Sequence, residues 1–220
     1  MNERFTMSRS LAAAALLSLM ALQVGAAPVS FDGSWKTQKF SLFSSNTYGF
    51  NGNSVSVASD GSVSLAYRQL PQSYWDATSA QWSWSVQEGV PATDLRKKGG
   101  DDRNLALYFV FLPANQAEAL QGASVRQLLT NDAARVLVYV WGGVHNRGAV
   151  LNSPYLGNRG KTVVLRGSGT GSASENVNLA RDYANSFGGG EAALVGIALS
   201  GDSDDTNSRI RASISGLSVN

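Results

Sequence analysis

The chain has no cysteine and a single histidine, His145, among its 220 residues. These two scarcities exclude thiolate nucleophiles, disulfides, cysteine-rich zinc sites and any multi-histidine transition-metal site. A metal ion would have to be a hard cation held by oxygen, which points to calcium. Charge is scarce as well: Asp, Glu, Lys and Arg make up 15% of the residues, and the formal net charge is +2. With charges so few and so balanced, an isoelectric point near 9.0 does not make the chain a nucleic-acid binder. Runs of helical period are rare, which argues against a helical bundle.

What is present at the N-terminus reads as a targeting segment. "MNERFTMSR" carries Arg4 and Arg9, Leu11 to Leu22 reads "LAAAALLSLMAL", and "VGAA" follows with small residues. That is the plan of a secretory signal peptide over residues 1–26. The apolar run is too short for a membrane-spanning helix, which takes about 20 residues, and no cysteine follows it to carry a lipid anchor. The expectation is an exported protein, periplasmic or extracellular, with one domain over residues 27–220 and no membrane span once the leader is removed. Without residues 1–26 the chain keeps 16 basic and 15 acidic side chains. Lacking disulfides, such an exported domain must hold together by packing.

After the leader, apolar residues alternate with polar ones. Val55 and Val57 precede Ser-Asp-Gly, and Val63, Leu65 and Tyr67 follow it, which predicts a hairpin turning at Gly61. "QWSWSV" sets Trp82, Trp84 and Val86 on one face and Ser83 and Ser85 on the other. Further strands are predicted at "WKTQKFSLF", "NLALYFVFL", "RVLVYVW", "KTVVLR", "ALVGIAL" and "RIRASISGLSV". Helical composition is confined to Ala114–Leu129, broken at Gly122, and to Asn176–Phe187, stopped by "GGG". Eight or nine short strands must fold over to cover their apolar faces. The predicted class is therefore all-β, a two-sheet, jelly-roll-like β-sandwich with one or two short helices in its connections.

In order and spacing, "LPQSYWDATSAQWSWSVQEGVPATDLRKKGGDDRNLALYFVF", "YVWGG", "SPY", "TVVLRGSG", "ARDYANSFGG" and "LVGIALSGDSDDTNSRIRASISGL" resemble the bacterial exported family called domain of unknown function 3047. The resemblance runs from about Trp35 to Val219. Its most specific pieces are the W-x-W strand, the K-x-G-D-D opening and the closing D-S-D-D-T block. It implies an exported, β-rich domain and brings no catalytic residues with it.

Two acidic segments stand at predicted strand ends: "KKGGDD", with Asp101 and Asp102, and "GDSDDTNS", with Asp202, Asp204 and Asp205. If the sandwich brings these ends together, the five carboxylates share one rim. Two carboxylates about 4 Å apart repel by about 4 kcal/mol at an effective dielectric of about 20, so such a rim needs positive charge. Arg96, Lys97, Lys98, Arg103, Arg209 and Arg211 flank the segments; a calcium ion held by Asp202, Asp204 and Asp205 is the other solution. The loop is not an EF-hand, because Gly at the sixth position and Glu at the twelfth are missing. The alternative is no cofactor, with the acids folded into Asx-turns and paired with neighbouring arginines.

The same acids could serve as a glycosidase-like pair, drawn from both segments, such as Asp102 with Asp204; such pairs stand about 5 Å or about 6.5–9.5 Å apart. The sequence itself names no catalytic residue. His145 lies in a Gly-rich turn, no G-x-S-x-G elbow is present, and "GSGTGSAS" lacks the Lys of a phosphate-binding loop. Trp82 and Trp84 read as core, whereas Trp75, in a turn rich in Pro, Gln, Ser and Asp, and Trp141, at a strand end, are candidates to stack on sugar faces. The reading is an exported module that binds a glycan or another hydroxyl-rich envelope molecule through Asp101, Asp102, Trp75 and Trp141, with no nucleic-acid partner. A hydrolase using an Asp pair and a structural envelope domain without a site are the alternatives.

Overall fold

The computed structural model describes residues 26–220, so the predicted leader lies outside the described residues. Two sheets face each other. Numbered in chain order, one sheet runs β11 (Gly171–Asn178), β6 (Ser79–Glu88), β13 (Arg209–Val219), β4 (Ser54–Asp60) and β3 (Thr47–Asn51), with the short β1 (Ala27–Pro28) also paired to β13. The other runs β2 (Lys36–Lys39), β5 (Ser64–Gln69), β12 (Ala192–Asp202), β7 (Arg103–Pro113), β8 (Arg135–Trp141), β10 (Gly157–Arg166) and β9 (Val150–Ser153). All pairings are antiparallel except β10 on β8. The chain passes between sheets at β1–β2, β2–β3, β4–β5, β5–β6, β6–β7, β10–β11, β11–β12 and β12–β13, giving the jelly-roll-like sandwich that the alternation predicts. Among the described residues, no helix is long and apolar enough to cross a membrane.

Alternation explains the smaller sheet. Ala80, Trp82, Trp84 and Val86 of β6 and Ile210, Ala212 and Ile214 of β13 point inward to the shared core. Trp84 meets Trp82 edge-on at 5.4 Å and Trp141 at 5.6 Å; each such pair adds about 0.5–1.5 kcal/mol to the area it buries. The outward positions are serines in register. Ser172, Ser85, Ser213 and Ser56 form one rung across four strands, and Ser174, Ser83, Ser215 and Ser54 form the next. Glu175 points inward from β11 and is held by Arg166 Nε at 2.7 Å, Arg147 Nη2 at 3.2 Å and Trp84 Nε1 at 3.3 Å.

The larger sheet is buried on both faces along β7, β8 and β12, which is why those strands read as nearly continuous apolar runs. Leu137 and Tyr139 face the inter-sheet core, whereas Val136, Val138 and Val140 meet Leu95, Ala106 and Val164 on the outer side. A second outer cluster gathers Trp75, Leu112 and Leu128 under the helices α1 (Ala114–Ala117) and α2 (Val125–Thr130).

Three local expectations change. The Val55–Tyr67 segment is not a hairpin: β4 pairs with β3 and β13, while β5 pairs with β2 and β12. Gly61 does adopt a positive φ of 50°, but at a corner where the chain leaves one sheet for the other. Strands β3, β9 and β11 were not marked by the alternation, because Gly and Asn interrupt it. The helix expected from Asn176 is α3 (Leu179–Phe187). Its first three residues complete β11, and Asn178 caps it by accepting from the Arg181 amide at 2.7 Å.

Candidate functional site

A β-bulge sets the site. Along β12 and β7, Ala198 pairs with Tyr108 and Ser200 with Ala106, but the register then shifts so that Asp202 pairs with Arg103. Bulges re-aim side chains. Here Arg103 and Asp202 join Tyr108 and Ser200 on the outer face, at the floor of a cavity of about 530 Å³. Leu65, Leu95, Val138 and Leu156 line its walls, and Tyr155 and Phe40, both more than half exposed, stand at its rim.

The two acidic segments meet here, joined by one guanidinium. Arg103 Nη1 donates to Asp101 Oδ2 at 2.8 Å and lies 3.2 Å from Asp202 Oδ2. Arg103 Nη2 donates to the Tyr108 hydroxyl at 2.8 Å, which in turn bonds Ser200 Oγ at 3.0 Å. Asp101 Oδ1 accepts from the Tyr155 hydroxyl at 3.1 Å. Asp202 Oδ1 and Arg103 Nε are buried without a protein partner. The side chains of Asp101 and Asp202 are 3% and 8% exposed, so one cation faces two dry carboxyls.

Burial pushes the Asp202 carboxyl up to about 8 against the pull of Arg103, and its hydrogen bond with Asp204 and the charges of Asp204 and Asp102 act in the same direction. A carboxyl raised to about 8 keeps its proton at pH 7, with Arg103 Nη1 standing 3.2 Å from its Oδ2. Burial works to lower the Arg103 pKa, but Tyr108, Asp202 and Asp101 outweigh it and hold the guanidinium charged. Tyr155 is pushed up to about 12, first by burial and then by the Asp101 charge. It keeps its proton and acts as a donor.

The structure redistributes the roles expected of the acids. Asp102 is fully buried and does not line the cavity. Its oxygens accept from the Asp205 amide at 3.3 Å, the Thr206 amide at 2.7 Å and the Thr206 hydroxyl, which pins the Asp202–Asp205 loop to the start of β7. The expected metal trio changes by one member. Oxygens of Asp102, Asp204 and Asp205 lie within 4.8 Å of one another, while Asp202, outside that trio, stands between Asp204 and Arg103. Asp205 is raised by burial, then by Asp204, Asp102 and Asp101.

The two stacking candidates are corrections. Trp75 is 8% exposed, with Nε1 bonded to the Leu70 carbonyl, and Trp141 is 5% exposed, with Nε1 on the Gly169 carbonyl. A tryptophan covered by its neighbours offers no face to a sugar. His145 is also less exposed than its glycine-rich surroundings suggest. It pairs through Nε2 with Asp94 at 3.0 Å and does not line the cavity. Of the six flanking cations, Arg103 alone bridges the two segments; Arg96, Arg209 and Arg211 pair with Asp94, Asp60 and Glu88. Lys98 Nζ sits 5.5 Å from the centre of the Tyr155 ring. Tyr155, Tyr108 and Ser200 were not predicted. All three lie in stretches that carry the family resemblance, "NLALYFVF", "SPY" and "LVGIALSGDSDDT", which give them no role.

The fold and this cavity define a β-sandwich with a polar-floored pocket on the outer face of its larger sheet. The chain belongs to the family described as "Protein of unknown function (DUF3047)", whose model matches residues 33–218. A comparison with curated proteins finds no match. Among solved structures, the xyloglucanase domain of NopAA, a type three effector from Sinorhizobium fredii, solved with cellobiose, is similar at 12% identity and a TM-score of 0.48, covering 89% of this chain and 95% of its own. A thermostable cellulase derived from Cel12A of Rhodothermus marinus is similar at 13% identity and a TM-score of 0.45, covering 89% and 99%. At these scores the likeness carries no function to the chain.

Proposed function

We propose that the protein binds a hydroxyl-rich ligand, a glycan being the class that fits, in the cavity on the outer face of the larger sheet. The observation that carries the reading is the convergence of Arg103, Asp202, Tyr108 and Ser200 on the floor of one apolar-walled cavity, beneath the half-exposed ring of Tyr155. Ligand sites commonly combine apolar walls with a few fixed polar groups. Tyr155 takes the stacking part that Trp75 and Trp141 cannot. The test is calorimetry with oligosaccharides of envelope and plant origin. Tyr155→Ala should weaken binding about tenfold, in keeping with loss of one aromatic contact, and should cost about 1 kcal/mol of stability for the lost hydrogen bond to Asp101. Unchanged affinity for a ligand that binds the parent would remove the cavity from the account.

The hydrolase reading has one observation in its favour: Asp101 and Asp202 share a single guanidinium nitrogen, and Asp202 holds its proton at neutral pH. That gives a neutral acid beside a second carboxyl, the two components of an acid–carboxylate pair. Turnover of aryl glycosides that is lost on Asp202→Asn supports it; no turnover by the parent protein sets it aside. Calcium is the finer reading of Asp102, Asp204 and Asp205, which offer only hard oxygen donors.

A further inference from the structure

The connection after β2 presents apolar side chains to solvent. Leu42 is 92% exposed, Phe43 98% and Phe40 55%. Single exposed apolar residues are ordinary, but three of the large ones within four consecutive residues, on a loop leaving the edge strand of a sheet, form a concentrated apolar tip. Along the chain the charges flanking the tip share one sign: Lys36 and Lys39 are exposed on β2, and no acidic residue occurs between Asp32 and Asp60, although the cavity that Phe40 lines also holds Asp204 and Asp205.

We propose that the Phe40–Phe43 tip is a lipid-surface contact, seating the protein on a bilayer with anionic headgroups. Apolar side chains backed by lysine match an interface whose acyl boundary takes the former and whose headgroups attract the latter. Size favours a membrane over a protein partner. A stable protein interface needs about 800 Å² from each side, more than one loop tip supplies, whereas a few inserted side chains suffice to partition onto lipid. Phe40 also lines the cavity, so a seated molecule holds the cavity mouth beside the headgroups. The inference does not depend on what the cavity binds.

The experiment is vesicle co-sedimentation of the chain from Ala27 onward, which contains both sheets entire and omits the apolar leader. Vesicles of phosphatidylcholine alone are compared with vesicles that also contain phosphatidylglycerol. The parent should bind the anionic vesicles. Leu42→Ser with Phe43→Ser should lower the partition coefficient about a hundredfold, about tenfold for each side chain. Lys36→Glu with Lys39→Glu should lower binding to the anionic vesicles about tenfold or more and leave the neutral ones unaffected. These four positions are exposed, so melting curves should match the parent; if the double serine variant melts early, Phe43→Ser alone carries the test. A tryptophan placed by Phe43→Trp should also be quenched by brominated lipid. Absence of binding by the parent, or equal binding by parent and serine variants, overturns the proposal. So does a finding that the serine substitutions abolish self-association in sedimentation, because the tip would then join copies of the chain.

Discussion

Asp202→Asn should remove a slope from the stability profile. The Asp202 carboxyl ordinarily ionises near 3.8 and here keeps its proton to about 8, burial being the first cause. Across that interval the folded protein binds a proton that the unfolded chain has released. Stability from this group is complete below about pH 4, declines as pH rises, and is lost once pH passes about 8. At about 1.4 kcal/mol for each pH unit, the interval amounts to about 6 kcal/mol. The amide of Asn keeps the shape and a donor–acceptor pair but cannot ionise. Arg103 retains Asp101 as its counterion at 2.8 Å. Urea denaturation of parent and variant, in a chelator and at steps from pH 5 to pH 9, reads the difference directly. The variant should be close to the parent at pH 5 and more stable by several kcal/mol at pH 9. Two profiles that stay parallel over the range would refute a buried, protonated Asp202.

Other perturbations test neighbouring parts. Arg103→Met leaves Asp101 and Asp202 without their shared cation and should cost about 3–5 kcal/mol in denaturant unfolding, with partial recovery when Asp101→Leu is added. Gly143 has a φ of 81°, and a Cβ there would stand 2.6 Å from Leu95 Cγ, so Gly143→Ala should cost about 1–3 kcal/mol; a Leu95→Ala background should relieve the contact but not the backbone strain. Calcium returned to chelated protein, if held by Asp102, Asp204 and Asp205, stabilises by about 1.4 kcal/mol at ten times its dissociation constant. Thermal melting should show that rise and lose it on Asp204→Asn, and a flat response would leave the acidic loop without calcium.

Much of the architecture was legible because its cause is local. A tryptophan, a serine, a tryptophan and a serine in succession on β6 can bury one face only as a strand, and "RIRASIS" on β13 is bound by the same constraint. Partner choice was not legible. The Ser-Asp-Gly stretch at residues 59–61 suits a hairpin and a corner between sheets equally well; the burial of β5 beside β12 decides it. The meeting of "GDD" with "GDSDDT" was foreseen as a geometric possibility, but which acid does what depended on one register shift in β12. That shift sends Asp202 towards Arg103 and leaves Asp102 to hold the loop. Trp75 and Trp141 misled because a position in a turn or at the end of a strand says nothing about the segments that close over it. Tyr155 escaped notice because an ordinary tyrosine after Ser-Pro carries no local sign of standing above an acid a full 54 positions away.

The serine rungs of the smaller sheet give the molecule two sides that answer differently to solution conditions. Eight hydroxyls in register carry nothing that titrates between acid and alkali, and the charges on that side are confined to its end, in the pairs Arg209–Asp60 and Arg211–Glu88. The side bearing Arg103 and its acids changes with pH. Tethering the protein to a solid support through the serine side would therefore leave the opposite side free to respond to pH as it does in solution, which makes that face the natural handle for an immobilised sensor.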